Sequence, residues 1–296
     1  MTSEKLTLDQ ANNGGSAARE ETAGTARKKT NWWAEARAIL LLILAVLAFH
    51  SLVAKPFYIP SESMLPTLRV GDRLIVTKYP YGYSYITPTF HVLPFMHGRL
   101  FGHMPKRGDI VIVVPPGKDT DYIKRVIGLP GDRIGVAGGT VYLNGVPLKQ
   151  KRMGTRDIPV DGNTKCSPDE YPGMRVRNAQ GKWVCRVPIV REWLPSGRYY
   201  DTIDLGYSPG DNYPEITVPK GKVFLMGDNR DNSADSRYPL SEDGLGGPVP
   251  WENIGGRAEF ITFSLDGNAT WNPLTWIHDF RPGRTGLSLH PKQAKQ

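Results

Sequence analysis

Cysteine is scarce in this chain: Cys166 and Cys185 are the only two, beside six histidines in 296 residues. Neither cysteine has a histidine or a third cysteine at ligand spacing, so the sequence offers no closed zinc centre and suggests no metal or other cofactor. No Gly-x-Ser-x-Gly segment accompanies the histidines at 91–103. His91, His97 and His103 fall in a Pro, Gly and aromatic stretch that reads as a surface loop, so a Ser/His/Asp hydrolase finds no support. Internal repeats are absent, and only one apolar run is long. What remains is a chain with 40% hydrophobic residues, enough to bury a core. Its 32 Gly and 25 Pro are dispersed as in turn-rich, mainly β proteins. A net charge of +8 permits attraction to anionic lipid or nucleic acid. Basic secreted and membrane-attached proteins are equally charged, so we expect no nucleic-acid partner.

The long apolar run covers 38–54 and with its flanks reaches the ~20 residues that cross ~30 Å of hydrocarbon. Trp32 and Trp33 before it, and Phe57 and Tyr58 after it, stand where interfacial aromatics belong. Arg27, Lys28, Lys29 and Arg37 precede or open the run, whereas Lys55 is the one cation just beyond it. That asymmetry predicts a cytoplasmic N-terminus and an outer location for the rest. A cleavable signal peptide is the competing reading. It starts late for that, after more than thirty residues, and Leu52 to Ala54 is a poor small-x-small site. We therefore expect a disordered cytoplasmic tail over 1–31, a membrane anchor over 32–55 and an extracytoplasmic domain over 56–296.

Beyond the anchor, short apolar runs at 73–77, 109–114, 122–127, 133–136, 140–143, 222–226 and 257–263 read as strands. Turn signals separate them, and Asn144-Gly145 between 140–143 and Val146 predicts a hairpin. The text from about 145 to 218 turns polar and irregular, as for an inserted subdomain or long loops. It holds both cysteines. In an oxidising compartment they can form a disulfide worth ~3 kcal/mol in the chain-entropy model; two free buried thiols are the alternative.

Three segments carry chemistry. Ser61-Glu62-Ser63-Met64 lies between Pro60 and Pro66, and alone either serine would read as a turn or cap residue. In Tyr122-Ile123-Lys124-Arg125-Val126-Ile127, strand alternation puts Lys124 with Tyr122 and Val126, and Arg125 with Ile123 and Ile127. One cation must then share a face with apolar residues, and only lysine can be neutralised by desolvation. Gly227-Asp228-Asn229-Arg230-Asp231-Asn232-Ser233-Ala234-Asp235-Ser236-Arg237 could be a polar or calcium loop, but two arginines sit among the would-be ligands and no closing Glu follows.

Together, in this order after an anchor, the three segments resemble the signature motifs of the bacterial type I signal peptidases. The resemblance runs from about 57 to 263, with Arg107-Gly108-Asp109 and the apolar run after it as further support. It implies a mainly β, antiparallel-sheet catalytic domain with an irregular β insertion. It also implies a Ser/Lys endopeptidase that removes signal peptides from exported preproteins at the bacterial cytoplasmic membrane, with no obligate protein partner. Residue by residue, Ser63 matches the nucleophile, Lys124 the general base, and Ser61 a hydroxyl supporting the oxyanion hole. Ser233 matches a hydroxyl that orients the lysine, and Asp235 with Arg237 a supporting ion pair. Ser/Lys pairs are a known variant of triad logic, and the lysine needs an apolar wall to lose its proton near neutral pH. Tyr122, Met64, Phe57 and Ile59 are the expected wall. Ile59, Pro60, Met64, Leu74, Tyr122 and Ile123 are expected to line pockets for the substrate residues one and three before the cut, which predicts cleavage after Ala-x-Ala. Glu62 departs from the family's usual small residue, and 239–246 is an extra stretch. A related Ser/Lys peptidase with another duty is the alternative within enzymes, and an inactive tethered binding module the alternative outside them.

Overall fold

The computed structural model describes residues 31–88, 97–268 and 276–293. Apart from Asn31, the expected tail lies outside the described residues, as does His91. The chain divides into two units, Met1–Leu42 and Ile43–Gln296.

The apolar run forms a helix, Trp32–Leu52, 21 residues long with none of them buried. At 1.5 Å per residue it reaches about 31 Å, a bilayer's hydrocarbon thickness. An all-round apolar helix without a protein core around it is consistent with a membrane-anchored protein. It ends earlier than the expected anchor. Ala54 and Lys55 already belong to the first strand, Ala54–Tyr58, which pairs with Asp72–Thr77.

The described residues of the second unit form three antiparallel sheets. The largest has the strand order Ala54–Tyr58, Asp72–Thr77, Ile254–Ser264, Ile110–Val113, Tyr122–Gly128, Lys222–Met226 and Val249–Pro250. A four-stranded sheet joins Tyr213–Thr217, Arg133–Ala137, Thr140–Leu143 and Val146–Pro147. Its last hairpin turns at Asn144 (φ 55°) and Gly145 (φ 80°), the pair of positive φ values that a two-residue type I′ turn demands.

The third sheet is where the chain is more regular than its sequence suggests. Within 145–218, Lys149–Pro159 and Trp183–Trp193 are paired 11-residue strands, flanked by Arg175–Arg177, Arg198–Ile203 and Lys292–Gln293. The pattern was hidden because most of Lys149–Pro159 is exposed, so no apolar alternation marks it. Pro188 inside its partner is accommodated where the register shifts between Pro188 and Val190. Cys166 and Cys185 are joined by a disulfide, with Cα atoms 5.5 Å apart, in a small core that also takes in Tyr171, Val187 and Leu65.

Tyr122–Gly128 carries the two cations of the second chemical segment. It runs between Ile110–Val113 and Lys222–Met226, so its backbone is held on both sides. Its side chains alternate as the sequence predicts: Tyr122 and Val126 join one apolar cluster, Ile123 another and Ile127 a third. Both faces are covered. Lys124 and Arg125 are therefore both buried, at 4% and 2% exposure.

Candidate active site

The strand Asp72–Thr77 and the loop before it position the two serines. Ile59 N–H donates to Asp72 O at 2.9 Å, and Gly71 N–H donates to Ile59 O at 3.0 Å, which closes the intervening segment into a loop. Met64 and Leu68 anchor that loop from beneath, both fully buried. Asn229 clamps it from the other side: its N–H donates to Ser63 O at 3.1 Å and its Nδ2 to Glu62 O at 3.2 Å.

Lys124 meets this loop. Its Nζ donates to Ser63 Oγ at 3.0 Å and to Ile123 O at 3.1 Å, and it has no ion pair among the described residues. Ser61 Oγ lies 3.4 Å from Ser63 Oγ. Burial pushes the Lys124 amine down to about 8. The Asp235 carboxylate acts against that shift and Arg237 with it. The Tyr122 ring centroid is 5.4 Å from Nζ.

The loop after Lys222–Met226 brings the third segment in. Gly227 is needed because a Cβ there would meet Ser233 Oγ at 2.1 Å and Ser63 O at 2.5 Å. Asp235 and Arg237 form a buried bidentate pair, with both guanidinium contacts at 2.9 Å, and Asp235 also accepts the Gly227 N–H at 2.9 Å. Burial opposes the Asp235 charge, but Arg237 and these donors hold its carboxyl below the usual range. Ser233 Oγ is buried and has no hydrogen-bond partner among the described residues, so the expected contact with Lys124 is not made in this geometry.

Ser63 and Lys124 open on a cleft of about 690 Å³. Pro60, Tyr122 and Ile123 line it, as does Ser61. The remaining residues expected there do not. Ile59, Met64 and Leu74 are at most 1% exposed and belong to the core behind the loop, where Phe57 packs against them. The reason is strand register: Phe57 stands opposite Leu74, and their segment joins the sheet instead of the cleft wall. Asn163, Lys165 and Glu170, from the inserted region, form part of the wall instead. Glu62 also lines the cleft. Burial raises its carboxyl, a hydrogen bond with Tyr171 works against that, and the Lys124 amine donates to Ser63 and Ile123 and not to Glu62.

The family model for "Signal peptidase, peptidase S26" matches residues 32–263. The chain belongs to that family. Membership makes it a peptidase. Among its relatives is the signal peptidase I of Rickettsia typhi, 35% identical over 87% of this chain and 88% of that protein. The Rickettsia akari signal peptidase I is 36% identical over 89% and 88%. A crystal structure of an Enterococcus faecalis signal peptidase I aligns at 24% identity over 52% of this chain and 97% of that one, with a TM-score of 0.26.

Around the site of this family member lies a charged network that motif reading did not separate from the loop. Arg125 donates Nε and Nη2 to Asp228 at 2.7 and 2.6 Å, and Thr67 Oγ1 donates to Asp228 Oδ2 at 2.5 Å. Arg230 forks onto Glu192 of the inserted sheet at 2.6 and 2.5 Å, and Tyr200 O–H donates to the same carboxylate at 2.8 Å. The available signal was the alternation of acids and arginines directly after the apolar run 222–226. A solvated loop has no need of such pairing.

Proposed function

We propose that this peptidase is a membrane-bound endopeptidase that removes signal peptides from exported preproteins, with Ser63 as nucleophile and Lys124 as general base. The observation that carries this reading is the 3.0 Å contact between Ser63 Oγ and a buried lysine without a carboxylate partner. In the neutral amine the same contact reverses: the serine O–H donates to the Nζ lone pair. As Oγ attacks the scissile carbonyl, its proton passes to Nζ and the carbonyl oxygen becomes an oxyanion. The Ser63 N–H and the neighbouring Ser61 O–H are the donors at hand for that charge. Collapse of the intermediate sends the proton from Nζ to the leaving amine and leaves an acyl-serine. Water, deprotonated by the same lysine, then releases the new carboxylate.

Ser233 Oγ is the hydroxyl free to accept an N–H from the lysine once a substrate has settled the cleft. The shallow wall at Tyr122 and Ile123 favours small side chains one and three residues before the cut, because an extended peptide turns those two to the same side. The cations before the apolar helix support a cytoplasmic N-terminus, with the sheets beyond the outer face of the cytoplasmic membrane. The test is cleavage of a preprotein carrying an Ala-x-Ala site by the full chain and by Ser63→Ala. Equal turnover by a folded Ser63→Ala protein contradicts the assignment.

A further inference from the structure

Pro66 and Thr67, just past Ser63, line a second cavity of about 200 Å³, separate from the cleft. It is strongly basic. Arg69, Arg125, Arg156, Arg284 and Lys292 all face it, and Asp201 is its single carboxylate. The acids nearby are already engaged. Arg284 donates to Asp72 at 2.8 Å, Arg125 holds Asp228, and Asp201 takes both Arg156 at 2.6 Å and Arg191 at 2.8 Å.

Arg69 is left over. Its Nε is fully enclosed and has no hydrogen-bond partner, and its guanidinium makes no ion pair among the described residues. Burial, with the like charges of Arg284 and Arg281, pushes the group down to about 10, while Asp72 and Asp161, already bonded to Arg284 and Arg281, act against the shift. A guanidinium is planar, stays charged, and carries five donors suited to a forked oxyanion. Enclosing one beside other cations, with the nearby carboxylates Asp72 and Asp161 bonded to Arg284 and Arg281, disfavours the empty state.

We infer that this cavity is an anion site for a phosphate group, with the unpaired Arg69 guanidinium as its principal donor and Arg284 and Lys292 beside it. The phosphate can come from free inorganic phosphate or from a phospholipid headgroup. The cavity is distinct from the proposed catalytic cleft, and the inference stands without the proposed chemistry.

The test measures thermal unfolding of the full chain in zwitterionic detergent at pH 7, at constant ionic strength. Sodium phosphate replaces sodium chloride in one arm. Dihexanoylphosphatidylglycerol replaces dihexanoylphosphatidylcholine in the other. At saturation we expect Tm to rise by about 5 °C. A rise in both arms marks a site open to free phosphate, and a rise with the lipid alone marks a headgroup site. Arg69→Gln should abolish the rise and, in chloride, unfold at the same temperature as the parent protein or higher, since it removes a half-buried charge that no carboxylate pairs directly. A merely structural arginine would give a lower Tm in chloride. No rise in either arm, or an equal rise in Arg69→Gln, overturns the inference.

Discussion

Lys124 and Arg125 are neighbours on one strand, both buried, and the molecule treats them in opposite ways. Arg125 is met by a carboxylate: Asp228 takes two of its nitrogens, Gly108 O accepts a third donor at 2.7 Å, and the Tyr200 ring lies 4.4 Å away. Burial alone would weaken that charge, but Asp228 more than compensates and the guanidinium is held more firmly protonated. Lys124 has a serine hydroxyl and a carbonyl and no carboxylate in contact, and its amine falls to about 8. A buried cation with a full set of partners is structural. One lacking a counter-charge is available for proton transfer.

The largest effect should come from exchanging the roles. Lys124→Ala and Lys124→Arg should each lower kcat for signal-peptide cleavage by ~10³-fold or more, because neither side chain can take the Ser63 proton. Combined with Ser63→Ala, the losses should not add. A Lys124→Arg protein that retained a tenth of the activity would remove the distinction between the two sites.

The next effects concern stability and should have opposite signs on the two faces. Arg125→Met leaves Asp228 buried and unpaired, and urea unfolding should show a loss of about 3 to 5 kcal/mol. Lys124→Met removes a charge whose burial is unfavourable, and it should stabilise by up to about 3 kcal/mol at pH 7. The sign comes from linkage. Between about 8 in the folded state and 10.5 unfolded, the unfolded chain binds more protons, so parental stability rises with pH across that window. The gain from Lys124→Met is thus largest below pH 8 and gone above about 10.5. A gain that grew with pH would contradict the buried, depressed lysine.

Much of this comparison was legible in the sequence, and its limits have a physical cause. Strand alternation separated Lys124 from Arg125, and the chemistry of lysine singled out the one that can lose its proton. The counter-charge was out of reach, because Asp228 stands 103 positions away and only the sheet brings it beside Arg125. Ile59, Met64 and Leu74 were apolar residues near the motif serine, but proximity in sequence does not say whether a side chain faces a cleft or the core behind it. The inserted sheet was obscured for a similar reason: Lys149–Pro159 buries so little that it leaves no periodic trace.

Smaller effects sharpen the picture of the cleft. Ile123→Ala should relax the exclusion of Leu at the residues flanking x in Ala-x-Ala by roughly tenfold, read as a ratio of kcat/KM values for paired peptides. An unchanged ratio would move the specificity site elsewhere. Ser233→Ala should leave Tm unchanged or slightly raised, since its hydroxyl is buried without a partner, and should lower kcat by about tenfold with KM unaltered. A fall in Tm with unaltered kcat would make Ser233 a packing residue only.

The central claim, that Lys124 acts as a neutral base because burial deprives it of its proton, is tested most directly by the pH dependence of kcat/KM on a peptide without ionising groups near its cleavage site. This ratio reports groups of the free enzyme. A neutral, buried Lys124 predicts a tenfold rise per pH unit in the acid range, bending to a plateau at about 8, the value to which burial lowers its amine. A profile still rising past pH 10, or flat between 6 and 9, would mean that the base is an ordinary solvated lysine or is not Lys124.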